Sequence, residues 1–298
     1  MKAQQLKKSI LQMAVQGKLV PQDPNDEPAS VLIEKIRNEK EKLIKEGKIK
    51  REKNPSYIYR GSDNLHYEKV GNEIKCIEDE LPFEIPETWE WNRLDQIGNW
   101  RAGATPLKGN SEFYRNGTIP WLLTGDLNDG FIDEIPNKIT ELALEKTSVK
   151  LNPIGSVLIA MYGATIGKLG ILNIEATTNQ ACCACNVYSP FYNKYLFYFL
   201  MANKLNFTKQ GEGGAQPNIS KEKIVKTLIP IPPLNEQIRI VNQIIQLEPL
   251  IDNYDKKENE LTLLNDGFKD KLKKSILQYA IEGKLVPQDP NDEPASVL

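Results

Sequence analysis

The sequence predicts an α+β protein, in which one domain built on a twisted, partly barrel-like sheet is joined to long coiled-coil-forming helices. Three observations predict it. Short apolar runs such as TIPWLLTGDL, GSVLIAMYG, TIGKLGIL and QACCACNVY alternate with Gly, Asn and Pro clusters, the pattern of short strands and turns. From Leu234 the character changes abruptly to a long helical run with a heptad seam. Finally, one segment occurs twice: Leu6 to Leu32 and Leu272 to Leu298 differ only at Met13/Tyr279, Val15/Ile281 and Gln16/Glu282. Two copies around a large unrelated region cannot stack as a solenoid does, so they read as a repeated scaffold.

Each copy predicts a short helix with Leu6, Ile10 and Met13, or Leu272, Ile276 and Tyr279, on one face. Gly17 or Gly283 closes it, and a proline-stiffened loop leads to Pro28 or Pro294, where a second helix would begin. The second copy stops at Leu298, so the chain is expected to be one unit of a longer two-unit design or to be cut there. Residues 29–47 predict a charged helix with sparse apolar positions at Leu32, Ile36 and Leu43. The excess of Lys and Arg from Lys35 to Lys53 suits either a solvated helix and linker or a basic arm. Residues 53–80 read as a loose lead-in with one or two short strands. The main domain then opens at LPFEIPETWEWNRLDQIG, where Trp89 and Trp91 offer large anchors. One helix is expected from Asn193 to about Asn206, and Ser220 caps a short helix at KEKIVK. In the last segment the seam runs Ile240, Ile244, Leu247, Ile251, Tyr254, Leu261, Phe268, Leu272, Tyr279, with Asn265 as a register-fixing polar residue. Pro249 predicts a kink or a restart. The division is therefore a helical scaffold repeat at 1–52, a central domain at 53–233, and a long helix with the second repeat at 234–298.

The 298 residues are 40% hydrophobic, enough for a real core. The net charge is −2, so a role with nucleic acid has to rest on local patches. With no signal segment and no apolar run of membrane-spanning length, the expectation is a cytoplasmic chain without a membrane partner. Zinc needs about four ligands, and the only histidine, His66, is far in sequence from Cys182, Cys183 and Cys185. Those cysteines read as a strand with Cys183 and Cys185 on one face, and no metal is expected. Nor is a catalytic site or a cofactor. Asn152-Pro153-Ile154-Gly155 lacks the second proline and the aromatic of an adenine-methyltransferase loop, and Ile231-Pro232-Pro233-Leu234 has no amide side chain. There is no GxxxxGK[ST] phosphate loop.

The motifs PETWEWNRLDQIG, GATP at Gly103 to Pro106, GTIPWLLTGDL, MYGATIGKLG, TNQACC and GEGGAQPNIS stand in one order. After them IPIPPLNEQIRIV runs into the long helix. Together they resemble the specificity subunits of type I restriction-modification systems. In that family a recognition domain is followed by a long helix, and a full subunit carries two such units. The resemblance implies a half subunit with one target-recognition domain at 53–233. It would read double-stranded DNA and assemble with methyltransferase (modification) and restriction/translocase subunits that carry the chemistry.

Base readout needs side chains with paired donors and acceptors, and cations to fix register on phosphates. The candidates are Arg101, Thr105 and Lys108 around the GATP turn, and Tyr162 and Lys168 around a glycine-rich loop. Asn179, Gln180, Lys209, Gln216, Asn218 and Lys221 flank two further loops. Asn179 and Gln180 could equally bond backbone within a turn, and GEGGAQPN could be a connector. Gln216 stands out because a helix N-terminus suited to phosphate follows its loop. For assembly, Ile244, Leu247, Ile251, Tyr254, Leu261, Asn265, Phe268 and Leu272 would form a dimer or scaffold seam. Leu250 to Glu282 spans roughly 50 Å at 1.5 Å per residue, enough to hold two recognition domains about one DNA turn apart in a homodimer. The N-terminal helix of one chain would then dock beside its partner's long helix. The rival reading is a coiled-coil structural or regulatory protein whose α+β domain binds a protein.

Overall fold

The structure, a computed structural model, describes residues 2–212 and 217–297. The first repeat forms α1 (Ala3–Val15) and leads into α2 (Ala29–Lys45). Next come β1 (Ser56–Arg60), β2 (His66–Val70) and β3 (Glu73–Cys76). The main domain supplies β4 (Glu90–Arg93), β5 (Gly98–Ala102), β6 (Ile119–Leu122), β7 (Gly130–Ile132), β8 (Lys138–Ile139), α3 (Glu141–Lys146), β9 (Val157–Ala160), β10 (Leu169–Leu172), β11 (Thr177–Thr178) and β12 (Cys182–Val187). It continues through α4 (Asn193–Ala202), α5 (Lys204–Lys209), α6 (Lys221–Val225) and β13 (Leu228–Ile231) into α7 (Leu234–Ile281).

This is the mixed helix and sheet fold that the patterns predict, and none of its sheets closes into a barrel among the described residues. A five-stranded sheet has the order β5-β12-β9-β10-β7, antiparallel except for the β10–β7 pair. Smaller sheets are β1-β2-β3, β11-β6-β8 and β13-β4. The period of two along β12 divides its residues between two cores. Cys183 and Cys185 join the larger one with Trp100 and Tyr195, while Cys182 and Ala184 join a second with Leu158 and Leu172.

Residues 8–245 form one compact unit, and the described residues of 1–7 and 246–298 form another. In the first, three local expectations are corrected. α2 is no solvated helix, because it buries Ala29, Leu32, Ile33 and Ile36 in the main core. Four apolar residues at helical spacing suffice for one buried stripe, however charged the rest of the surface is. The lead-in is a complete three-stranded antiparallel sheet rather than a loose segment, with Ile58 and Ile77 buried beside Trp91. The expected single helix after Asn193 divides at Asn203, whose amide donates to the Phe199 carbonyl at 3.0 Å.

The first repeat is locked to its unit by a polar latch. Glu236 at the start of α7 accepts from Trp89 Nε1 at 2.9 Å and from Gln22 Nε2 at 2.6 Å. Arg239 donates to both carboxylate oxygens of the buried Asp26, at 3.2 and 2.6 Å. Gln237 bonds the Pro232 carbonyl and the Tyr192 amide, which ties the helix start to the sheet. Burial pushes the Glu236 carboxyl above its ordinary value, against the lowering effect of the two donors and Arg239. Gly17 has φ +71° and lies so close to Pro86 that a Cβ there would meet the ring at 2.5 Å. On α1 the residues buried in the main core are Leu11, Ala14 and Val15; of the expected Leu6, Ile10, Met13 row, Ile10 packs partly buried against the same core, Leu6 is half-buried and Met13 is exposed.

In the second unit α7 continues as α-helix through Pro249 without restarting. The proline removes only the bond to Ile245, a residue exposed enough for water to satisfy its carbonyl. The first turn of α1 lies beside this chain's own α7, with Ala3 N–H donating to Glu258 at 3.1 Å and Lys7 paired with Glu248 at 3.3 Å. Beyond this stretch, Leu261, Leu263, Leu264 and Phe268 are exposed.

Candidate nucleic-acid interface

β5 and β9 both run antiparallel to β12, so the ends of β5 and β9 and the start of β12 lie at one end of the main sheet. Three loops therefore emerge together. The 103–106 turn is stitched to the 178–182 loop by Gly103 N–H to Cys182 O and Ala104 N–H to Thr178 O, both 2.9 Å. A Cβ on Gly103 would sit 2.2 Å from Thr178 O and 2.3 Å from Asn179 O, so only glycine permits this approach. The turn is held from beneath by Trp121 Nε1, which donates to Ala104 O at 3.1 Å. The third loop, 161–168, pairs with the strand-like segment before α6. Gly163 N–H reaches Pro217 O at 2.8 Å, Ile219 N–H reaches Met161 O at 2.9 Å, and Tyr162 bridges Asn218.

The expected residues thus fall into groups. Thr105 and Gln180 are in contact, the threonine hydroxyl donating to the Gln180 amide oxygen, with Asn179 beside them. The Asn179 side-chain oxygen is buried with no hydrogen-bond partner among the described residues. Tyr162, exposed, and Asn218 form the second group. Arg101 on β5 and Lys221 on α6 line one groove along the β5 edge. Three residues stand apart. Lys108 is exposed beyond the 103–106 turn, Lys168 is half-buried just before β10, and Lys209 lines a separate groove with Asn206 and Lys226. Gln216 lies outside the described residues. The helix start expected to favour phosphate is a single turn, α6, and its cap is already used, since Ser220 Oγ accepts from Lys223 N–H. In the seam, Ile244 is buried in the main core and Ile251 is also buried, whereas Tyr254, Leu261, Phe268 and Leu272 are exposed.

The histidine and the three cysteines of β12 are occupied or suppressed, and Cys76 is exposed. His66 is buried in the lead-in sheet, and both its backbone N–H and its ring Nδ1 engage Glu78 Oε2, at 2.9 and 3.0 Å. These two bonds, the backbone one foremost, hold the Glu78 carboxyl below its ordinary value. Burial pushes the Cys183 thiol up to about 12 and those of Cys182 and Cys185 well above the usual range. Among the described residues no group of three or more His, Cys, Asp or Glu is placed to hold a metal ion, and no helix is long and apolar enough to cross a membrane.

Polar loops therefore crowd one end of a mixed sheet in the unit from which α7 starts. Residues 86–263 match the family described as type I restriction modification DNA specificity domain, and the chain belongs to that family. Its relatives include the type I restriction enzyme EcoAI specificity subunit of Escherichia coli, 30% identical over 346 aligned residues covering 98% of this chain and 54% of that protein. The EcoEI specificity subunit of Escherichia coli is 29% identical, with coverages of 98% and 53%. The chain spans about half the length of these curated relatives. A solved chain described as "Structural basis underlying complex assembly and conformational transition of the type I R-M system" is similar with a TM-score of 0.50 and 22% identity. It covers 68% of this chain and 48% of that one, a likeness of fold alone.

Proposed function

We propose that the chain is a non-catalytic DNA-recognition subunit of a type I restriction-modification complex, with residues 53–233 as target-recognition domain and 1–52 and 234–298 as scaffold. The observation that carries this reading is the gathering of Thr105, Asn179, Gln180, Tyr162 and Asn218 at one sheet end. Amide and hydroxyl groups there can supply the paired donors and acceptors that base edges require. In this reading the chain is cytoplasmic, and modification and restriction/translocase subunits bring methyl transfer, cleavage and translocation.

The target is read in two parts by a homodimer. The exposed Leu261, Phe268 and Leu272 of α7 support the pairing, with Asn265 fixing its register. A second support lies in the repeats. Leu11 and Val15 are 5% and 3% exposed in the first copy, yet their counterparts Leu277 and Ile281 are 63% and 82% exposed. The same sequence is satisfied once and waiting once, as a scaffold joining two recognition units requires.

The test is selection from a random duplex library, with and without a co-expressed modification subunit. A two-part sequence around a non-specific spacer is expected to be enriched. Gln180→Ala, or Gln216→Ala, relaxes one base pair at roughly 1–3 kcal/mol. Failure to enrich any sequence in either preparation overturns the reading, as does methyl transfer or cleavage by the pure chain alone.

A further inference from the structure

An open groove of about 760 Å³ runs along β5, the edge strand of the main sheet. Its far wall is the segment after α2, which the sequence alone leaves as either linker or basic arm. Seven cationic side chains line it against two carboxylates. Two of the cations are already matched: Lys40 with Glu52 at 3.0 Å, and Lys48 with Glu46 at 2.8 Å. The other five, Lys50, Lys53, Arg101, Lys150 and Lys221, have no ion-pair partner among the described residues.

The two carboxylates do not offset them. Glu52 is held by Lys40 and also accepts from Gln96 at 3.3 Å. Asp95 accepts from Gln96 at 2.9 Å, and burial foremost, with Glu52 beside it, pushes its carboxyl up, which weakens its negative charge. Five unpaired cations facing one groove repel one another, a cost that an anion with several charges relieves. Their origin matters as well. They come from four separate stretches of a chain that is acidic overall, with 38 Lys and Arg against 40 Asp and Glu. A locally basic run of sequence cannot account for this convergence, since the fold itself assembles it.

We propose that this groove is a seat for the phosphodiester backbone of duplex DNA, held by Lys50, Lys53, Arg101, Lys150 and Lys221. The assignment rests on the DNA-recognition reading above and adds to it the surface that fixes register without reading bases. Position supports that division of labour. Arg101 is two residues from Gly103, where the polar loop cluster begins, so the groove leads away from the base-reading end along β5. Five strand residues at about 3.3 Å each give about 17 Å, the axial rise of about five phosphates at 3.4 Å per phosphate on one strand. Lysine and arginine there meet the backbone as charges, while hydroxyl and amide side chains at the sheet end meet base edges.

The experiment measures binding of the full chain to two labelled duplexes, one selected and one scrambled, between 50 and 200 mM salt. Wild type is compared with K50Q/K53Q/K150Q and with K50R/K53R/K150R, and circular dichroism confirms that each is folded. For the glutamine variant, affinity for both duplexes is expected to fall by the same factor, at least about tenfold. The slope of log affinity against log salt becomes shallower by about 2.7, about 0.9 for each phosphate that is no longer neutralised. The arginine variant keeps the wild-type slope, since charge and not shape is what the seat uses. An unchanged slope in the glutamine variant overturns the assignment while leaving the recognition reading intact. So does a loss confined to the selected duplex, or normal DNA binding with loss of the modification subunit, which would make the groove a protein-docking surface. Wild-type chain that binds neither duplex at any salt refutes the recognition reading itself, and the seat with it.

Discussion

Glu236 offers the sharpest test of how the scaffold repeat is attached. Its two oxygens serve two donors, Trp89 Nε1 in the core and Gln22 Nε2 on the repeat. Glu236→Ala removes both acceptors. A fully buried indole N–H left without a partner costs about 1–3 kcal/mol, and the exposed Gln22 amide, which water can satisfy, adds little. We expect a total near 2 kcal/mol, which for a unit of this size lowers the unfolding midpoint by about 4–8 °C. Trp89 makes intrinsic fluorescence a direct reporter in thermal or urea unfolding. Glu236→Gln separates geometry from charge, since one amide oxygen still accepts from the indole. The carboxyl is raised by burial, so the folded state holds its proton to higher pH than the unfolded chain does. The wild-type contribution is therefore fully present below the ordinary value of 4.5 and is lost as pH rises through the folded value. Glu236→Gln removes that decline. A midpoint shift under about 2 °C for Glu236→Ala would refute the latch, and an unaltered pH profile for Glu236→Gln would refute the charge argument.

Three further outcomes are expected. Leu261→Asp and Phe268→Asp, at exposed positions of α7, abolish dimerisation in sedimentation velocity while leaving the thermal midpoint within about 1–2 °C, since neither side chain is buried in the chain itself. Gly103→Ala forces the Thr178 and Asn179 carbonyls apart, and it is expected to destabilise the fold by about 1–3 kcal/mol and to abolish sequence preference in the library selection. Alkylation with iodoacetamide at pH 8 gives one adduct on the native chain, at the exposed Cys76, and four after denaturation, counted by mass spectrometry. Labelling of Cys183 in the native state would contradict its burial and raised thiol pKa.

The sequence by itself determined the parts that rest on local periodicity and chain chemistry. The strand runs, the alternation of Cys182 to Cys185 between two faces, and the long helix from Leu234 all follow from spacing. The duplicated helix closes at Gly17 and Gly283, both with positive φ. The family, too, was legible, because its motifs keep their order. What only the tertiary structure decided was which surfaces meet. No local pattern marks Leu11, Ala14 and Val15 as the residues of α1 buried in the main core, since the core they join includes Trp89, more than seventy residues away. Asn179 and Gln180 carry no sign of Thr105, yet β5–β12 pairing brings their loops together. Lys150 carries no local mark, because an isolated lysine is indistinguishable from any solvated one until folding sets it beside Lys50, Arg101 and Lys221. The repeats show the limit most directly: nearly identical sequences are buried at Leu11 and exposed at Leu277, because burial belongs to what a helix packs against and not to the helix.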